Sequence, residues 1–262
     1  MVELLKIEYL KVKHYTVVRA FLLLFVILLP LLFYGMGMIE FPLYPSKGEL
    51  FGFSSVWKYL TYIASFFNVF PAILIIVLVC NEVTFKTQKQ NVIDGLSRKQ
   101  VILSKFYVVI ALTLVVTFYV FLVGVIFGAI YSNISYAFQG IEPLFFFFLQ
   151  TFGYFSMAFL LAVLLRRTSL GVVAFLVAFS ILALISRAML EEMAQWTPVN
   201  VFADLTPFPF LQNELEAMER METASGVVKP YEMTEWMRAG FAILYAFGFV
   251  FLSYFVMKKR DL

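Results

Sequence analysis

The sequence predicts an all-α integral membrane protein with six transmembrane helices. Its composition is 62% hydrophobic and only 14% charged, whereas soluble domains are about half apolar and about a quarter charged. Six runs lack Asp, Glu, Lys and Arg over lengths that suit a membrane crossing. Lys and Arg concentrate in alternate connections between these runs. Together these three observations exclude a soluble globular domain.

The charge-free runs set the predicted spans. A helix rises about 1.5 Å per residue, so roughly 20 apolar residues cross a hydrocarbon layer of about 30 Å. The longest run, 106–141, counts as one span, because two would need a turn at mid-depth, which the bilayer disfavours. Within a single transmembrane domain, 1–262, the predicted spans are about 19–39, 59–81, 103–131, 143–165, 168–187 and 238–257.

The distribution of basic residues predicts the orientation. The amino-terminal segment, the second and fourth connections and the tail carry 14 of the 20 Lys and Arg residues. By the positive-inside rule we expect both termini in the cytoplasm and a multi-pass location in the inner (plasma) membrane. The net charge of +3 follows from this topology, so we expect membrane lipids, and no nucleic acid, as partners.

Residues 1–17 are predicted to form an amphipathic helix at the membrane interface. Leu4, Leu5 and Tyr9 would lie near one face, with Lys6 and Lys13 elsewhere. A basic amphipathic helix before a first span commonly lies in the headgroup layer. The alternative is a solvated leader with a few apolar residues.

The segment 82–100, between the second and third spans, is predicted to form a short surface helix followed by a sharp corner. The helix would place three apolar side chains on one side: Val92, Ile93 and Leu96. Gly95 suits the left-handed residue that ends a helix, and Ser97 with Gln100 fits a capping box that starts the next span. Lys105 is then expected near the lipid headgroups. Such a corner is either a docking site for a soluble partner or a short loop that only joins the two spans.

Gly124 and Gly128 form a GxxxG pair in the third span. Small residues four apart let another helix approach closely. We expect ordinary packing within the chain, with a dimer seam as the alternative.

The connection 188–237 is too long for a simple link and is predicted to fold back at the outer membrane face. Aromatic residues favour the interface, and prolines divide the segment into short helices. The residues that predict this outer gate are Trp196, Pro198, Phe202, Pro207, Phe208, Pro209 and Phe210.

Catalytic chemistry has no candidates in the sequence, so we expect no enzyme. The only histidine is His14, in the leader, and the span centres carry no ionised residue. Cys80 is expected to be a buried, unreactive thiol. No G-x-x-x-x-G-K-[ST] motif occurs, so the chain itself is expected to bind no nucleotide, metal or other cofactor.

Three features together resemble the type-2 ABC exporter permease family. The leader LLKIEYLKVKHYTVVRAF runs straight into the first span, Glu82 precedes TFKTQKQNVIDGLSRKQVILSK, and the chain closes on KKRDL. The resemblance covers six spans, a tight basic turn at 166–167 and a long outer loop. The positions that match the family pattern after the second span are Glu82, Thr87, Gly95, Leu96, Ser97, Arg98 and Lys105.

The resemblance implies a permease that works with other subunits. Its segment after the second span would be a coupling helix docked on a cytosolic ABC ATPase dimer, which binds ATP and Mg²⁺. A second permease copy, identical or related, would complete the exporter of an amphipathic, lipid-like or peptide substrate. The stretch 83–86 departs from the family, which often has Gly there. The alternative function is a non-transporting membrane scaffold or immunity-type subunit that anchors a complex.

Overall fold

The computed structural model describes residues 16–39, 45–53, 55–85, 87, 90, 93, 98–210 and 233–259. These residues form helices and connections, with no strand among them. Six helices are long and apolar enough to cross a membrane, which confirms the predicted all-α, six-span architecture. The predicted interface helix, about 1–17, lies outside the described residues except at its end, where the first helix begins at Thr16.

The spans follow one another with short helices between them. Span 1 is Thr16–Met36, span 3 is Arg98–Tyr131, span 4 is Glu142–Leu165 and span 6 is Glu235–Lys259. Span 2 consists of Val56–Phe67 and Val69–Thr84, and span 5 of Thr168–Leu176, a π-helix Val177–Leu182 and Ala183–Leu190. The short helices are Lys47–Phe51, Ile134–Tyr136, Glu191–Trp196 and Pro198–Ala203.

Two prolines interrupt the spans in ways that the charge-free runs do not reveal. Pro30 lies inside span 1 and lacks the N–H that would bind the Val26 carbonyl. The Tyr119 hydroxyl of span 3 donates to that carbonyl at 2.6 Å, so the freed group finds a partner. In span 2, Pro71 follows a one-residue interruption at Asn68.

Span 4 forms the centre of the bundle. Inside the chain, 72% of its apolar stretch is buried, against 17% for span 1 and for span 5. Its core includes Phe147, Phe155 and Phe159, which are almost completely buried. The peripheral spans expose many large apolar side chains, as helices that face lipid do.

The Gly124–Gly128 pair packs within the chain. A Cβ on Gly124 would lie 2.5 Å from Trp57 Cζ3, and one on Gly128 would lie 2.2 Å from Phe53 Cε1. Because Trp57 of span 2 and Phe53, just before it, occupy this glycine face of span 3, the pair explains a close approach inside one chain.

Contacts between the connections define the two ends of the bundle. At one end, Trp57 Nε1 donates to the Ala137 carbonyl at 3.1 Å, linking the start of span 2 to the connection after span 3. At the other, span 4 ends in Arg166, whose left-handed backbone (φ 53°) turns the chain within two residues into span 5. We call the end with Arg166 the basic end. The end with Trp57 and Ala137, which also holds the segment 191–210, is the loop end.

Candidate functional site

A buried ion pair joins spans 2 and 3 at the basic end. Lys105 Nζ of span 3 donates to Glu82 Oε1 of span 2. The two side chains are only 2% and 7% exposed, respectively. Glu82 is two residues before the end of span 2, and Lys105 is seven residues into span 3. The pair therefore ties together the two helices that the segment 85–97 connects in the sequence.

Lys105 lies inside the bundle with its side chain turned toward Glu82, while its expected depth near the headgroups stays a prediction. A lysine at a span end commonly extends its long side chain toward the interface. Here the carboxylate of Glu82 lies within the bundle, and a buried charge is stable only beside an opposite charge. Lys105 therefore turns inward.

Thr87 joins the same cluster. Its hydroxyl donates to the Glu82 backbone carbonyl at 3.4 Å, so the structure brings together three predicted residues, Glu82, Thr87 and Lys105. Beside them Cys80 is buried, as predicted, with its thiol 3.7 Å from the Ala162 carbonyl of span 4.

The rest of the predicted coupling segment is described only in part. Ile93 is helical and 77% exposed. Span 3 begins at Arg98, one residue after the predicted cap. Val92, Gly95, Leu96 and Ser97 lie outside the described residues.

At the loop end, the short helix Pro198–Ala203 inserts among the spans. Pro198 occupies its first turn, where a missing N–H costs nothing. Phe202 is completely buried, and a Cβ on Gly153 of span 4 would lie 2.3 Å from its ring. Gln150 donates to the Phe202 carbonyl at 3.0 Å and to the Thr206 hydroxyl at 2.8 Å. Span 4 thereby holds the carboxyl end of the inserted helix.

The aromatic residues predicted for the outer gate divide into buried and exposed groups. Phe210 is buried, with its ring centroid 5.0 Å from that of Tyr59. Trp196 and Phe208 are partly exposed, and the Trp196 ring meets Phe241 edge-on at 5.1 Å. Among the three predicted prolines, Pro209 is buried, Pro198 is half-buried and Pro207 is exposed.

A charged network that the sequence did not predict fixes the same segment. The Arg187 guanidinium of span 5 pairs with the Asp204 carboxylate and donates to Asn200 Oδ1 at 3.3 Å. Arg238 of span 6 donates to the Asp204 carbonyl at 3.1 Å, and Asn200 donates to Ser186 at 2.8 Å. These contacts link the inserted helix to spans 5 and 6.

The described residues contain no group of His, Cys, Asp and Glu side chains that could hold a metal ion. Several of their polar contacts connect helices to one another near the two ends. This arrangement suits a membrane protein in which the connections at the basic end and the loop end are mechanically linked to the spans.

A family model covers residues 23–262, which is most of the chain and all the described site. The chain belongs to the DUF2705 family. The description of DUF2705 is a protein of unknown function, so this membership leaves the permease interpretation as a prediction. The six candidate membrane-spanning helices indicate a multi-pass membrane protein. Neither a curated protein nor a solved structure matches this DUF2705 chain.

Proposed function

We propose that the chain is the permease subunit of an ATP-driven exporter in the inner membrane, with both termini in the cytoplasm. The observation that carries the proposal is the buried Glu82–Lys105 pair. It lies where the segment 85–97 enters and leaves the bundle, so a force on that segment reaches spans 2 and 3 together. The charge distribution supports a cytoplasmic location for this end.

The ion pair makes the connection stiff. Breaking a buried salt bridge costs about 3–5 kcal/mol. A partner that pulls on the segment therefore moves the two spans as a unit before it separates them. The hydrogen bond from Thr87 to the Glu82 carbonyl continues this connection into the segment itself.

The energy source in this proposal is a separate cytosolic ABC ATPase dimer, which binds ATP and Mg²⁺. The chain has no nucleotide-binding motif of its own, and the apolar side chains predicted at Val92, Ile93 and Leu96 suit a groove in such a partner. A second copy of this chain or a related permease completes the exporter.

The loop end serves as the outer gate in the same proposal. The inserted helix Pro198–Ala203 is held by span 4 through Gln150 and by spans 5 and 6 through Arg187 and Arg238. Movement of these spans would shift the helix and open the exit. An amphipathic cargo, lipid-like or peptide, fits a bundle with apolar outer faces and no ionised side chain at its span centres.

Purification of the tagged chain from its native membrane tests the proposal. We expect a protein with a Walker A motif to copurify, and Leu96→Asp to weaken this association by about 100-fold, because the variant places an unpaired charge in the contact. Leu96→Met is the matched control and should copurify like the parent. A correctly inserted chain that brings no ATPase would instead favour the non-transporting scaffold.

A further inference from the structure

The middle of the bundle contains polar side chains that are completely shielded from solvent. Asn68 of span 2 and Thr151 of span 4 are both 0% exposed, and Gln150 is 1% exposed. Asn68 is about 18 Å along the helix from Val56, and Thr151 is about 14 Å from Glu142, counting about 1.5 Å per residue. These residues therefore lie several helical turns inside their spans.

Their hydrogen-bonding capacity is only partly used. The Thr151 hydroxyl donates to Asn68 Oδ1 at 3.2 Å, and Asn68 Nδ2 has no partner in the described part of the chain. Thr151 can satisfy only one end of the amide, whichever way the amide is turned. Both hydrogens of the Gln150 amide are used, while its Oε1 lacks a donor among the described residues.

A bilayer makes such groups costly. No lipid atom can replace water as a partner, so buried polar groups in a membrane protein are bonded to protein, to water or to a ligand. A lone buried amide could be an accident of packing. Here a donor and an acceptor without partners belong to the same level of spans 2 and 4, and Asn68 also lies where the span 2 helix is interrupted beside Pro71. Interrupted spans are common places for ligand sites at mid-depth.

We propose that Asn68, together with Thr151 and Gln150, forms a binding site for a neutral hydrogen-bonding group inside the bundle. The ligand class follows from the side chains, which offer one amide donor and one carbonyl acceptor and no charge. A water molecule, or the amide or hydroxyl of a larger molecule, has this chemistry. An ion does not suit the site, because Asp204, the charged residue between the two partners of Gln150, is already paired with Arg187. The site is independent of the ATPase partner.

The test uses a reporter cysteine one helical turn from Asn68. In a Cys80→Ala chain, Ala72→Cys places a thiol on the same face of span 2, where Ala72 is completely buried. Thiols react with methyl methanethiosulfonate as thiolates, which form only where a polar environment supports them. We expect Asn68→Leu to slow the reaction by about tenfold, because it removes the amide that holds the ligand.

Thr61→Val is the matched control. Thr61 is equally buried on span 2, but its hydroxyl donates to the Trp57 carbonyl of its own helix at 2.6 Å, so its removal should leave the rate unchanged. Equal rates with and without Asn68 would overturn the site. If Ala72→Cys does not accumulate in membranes, Ala64→Cys, one turn to the other side, replaces it. Where Asn68→Leu slows the reaction, native mass spectrometry distinguishes the two ligands. An added mass that is lost in Asn68→Leu identifies a larger molecule, and no added mass identifies water.

Discussion

The buried ion pair allows a quantitative test by a double-mutant cycle. Glu82→Met or Lys105→Met removes one charge and keeps a side chain of similar length. Each single variant removes one half of a buried salt bridge, because the two side chains are only 7% and 2% exposed. We expect each to lower the free energy of unfolding by about 3–5 kcal/mol.

The double variant should be more stable than either single variant. Replacing both members of a buried pair by apolar side chains is often close to neutral, since no uncompensated charge remains. The free energy of unfolding can be measured in mixed micelles by titration with a denaturing detergent, with tryptophan fluorescence as the signal. Lys258→Met is the matched control at the same end, where an exposed lysine should contribute within about 0.5 kcal/mol.

Two results would refute this reasoning. Single variants that cost less than about 1 kcal/mol would behave like an exposed surface pair. Additive costs in the double variant would show that the two charges do not interact. Either result would remove the physical basis for treating spans 2 and 3 as one unit at the basic end.

Two further substitutions test the packing of span 3. Tyr119→Phe removes the hydroxyl that donates a hydrogen bond to the Val26 carbonyl. We expect it to lower the free energy of unfolding by about 1–3 kcal/mol in the same titration. An unchanged midpoint would mean that water donates to the carbonyl instead. Gly128→Ala would drive a methyl group into the Phe53 ring, with an expected cost of about 1–3 kcal/mol. Gly240→Ala, whose Cβ would meet no atom within 4 Å, should be neutral or stabilising, and equal effects at both glycines would contradict the packing account.

The spans were predictable because bilayer thickness acts directly on the sequence. A charge in the hydrocarbon layer is costly, so runs without charges reveal the crossings. The prolines that divide the segment 194–210 likewise indicated short helices before span 6, and the structure confirms them. The interruption at Asn68 and the π-helix in span 5 leave hydropathy unchanged, so the charge-free runs could not reveal them.

The side-chain pairings within the site could not be predicted from the sequence, for a different reason. Glu82 and Lys105 were each singled out, but their contact depends on how spans 2 and 3 cross, which a single sequence does not specify. The Arg187–Asp204 pair requires the inserted helix to return to span 5. Long-range contacts of this kind follow from packing and leave no local pattern.

The most direct measurement of the proposed function is photo-crosslinking from Ile93 in intact cells. Its side chain is 77% exposed, so a photoreactive amino acid there can reach a partner. Phe138, 73% exposed at the loop end, is the matched control. The proposal predicts an adduct with a cytosolic Walker A ATPase from position 93 and none from position 138. A full-length, inserted chain that forms no such adduct at position 93, or forms it only at position 138, would contradict it.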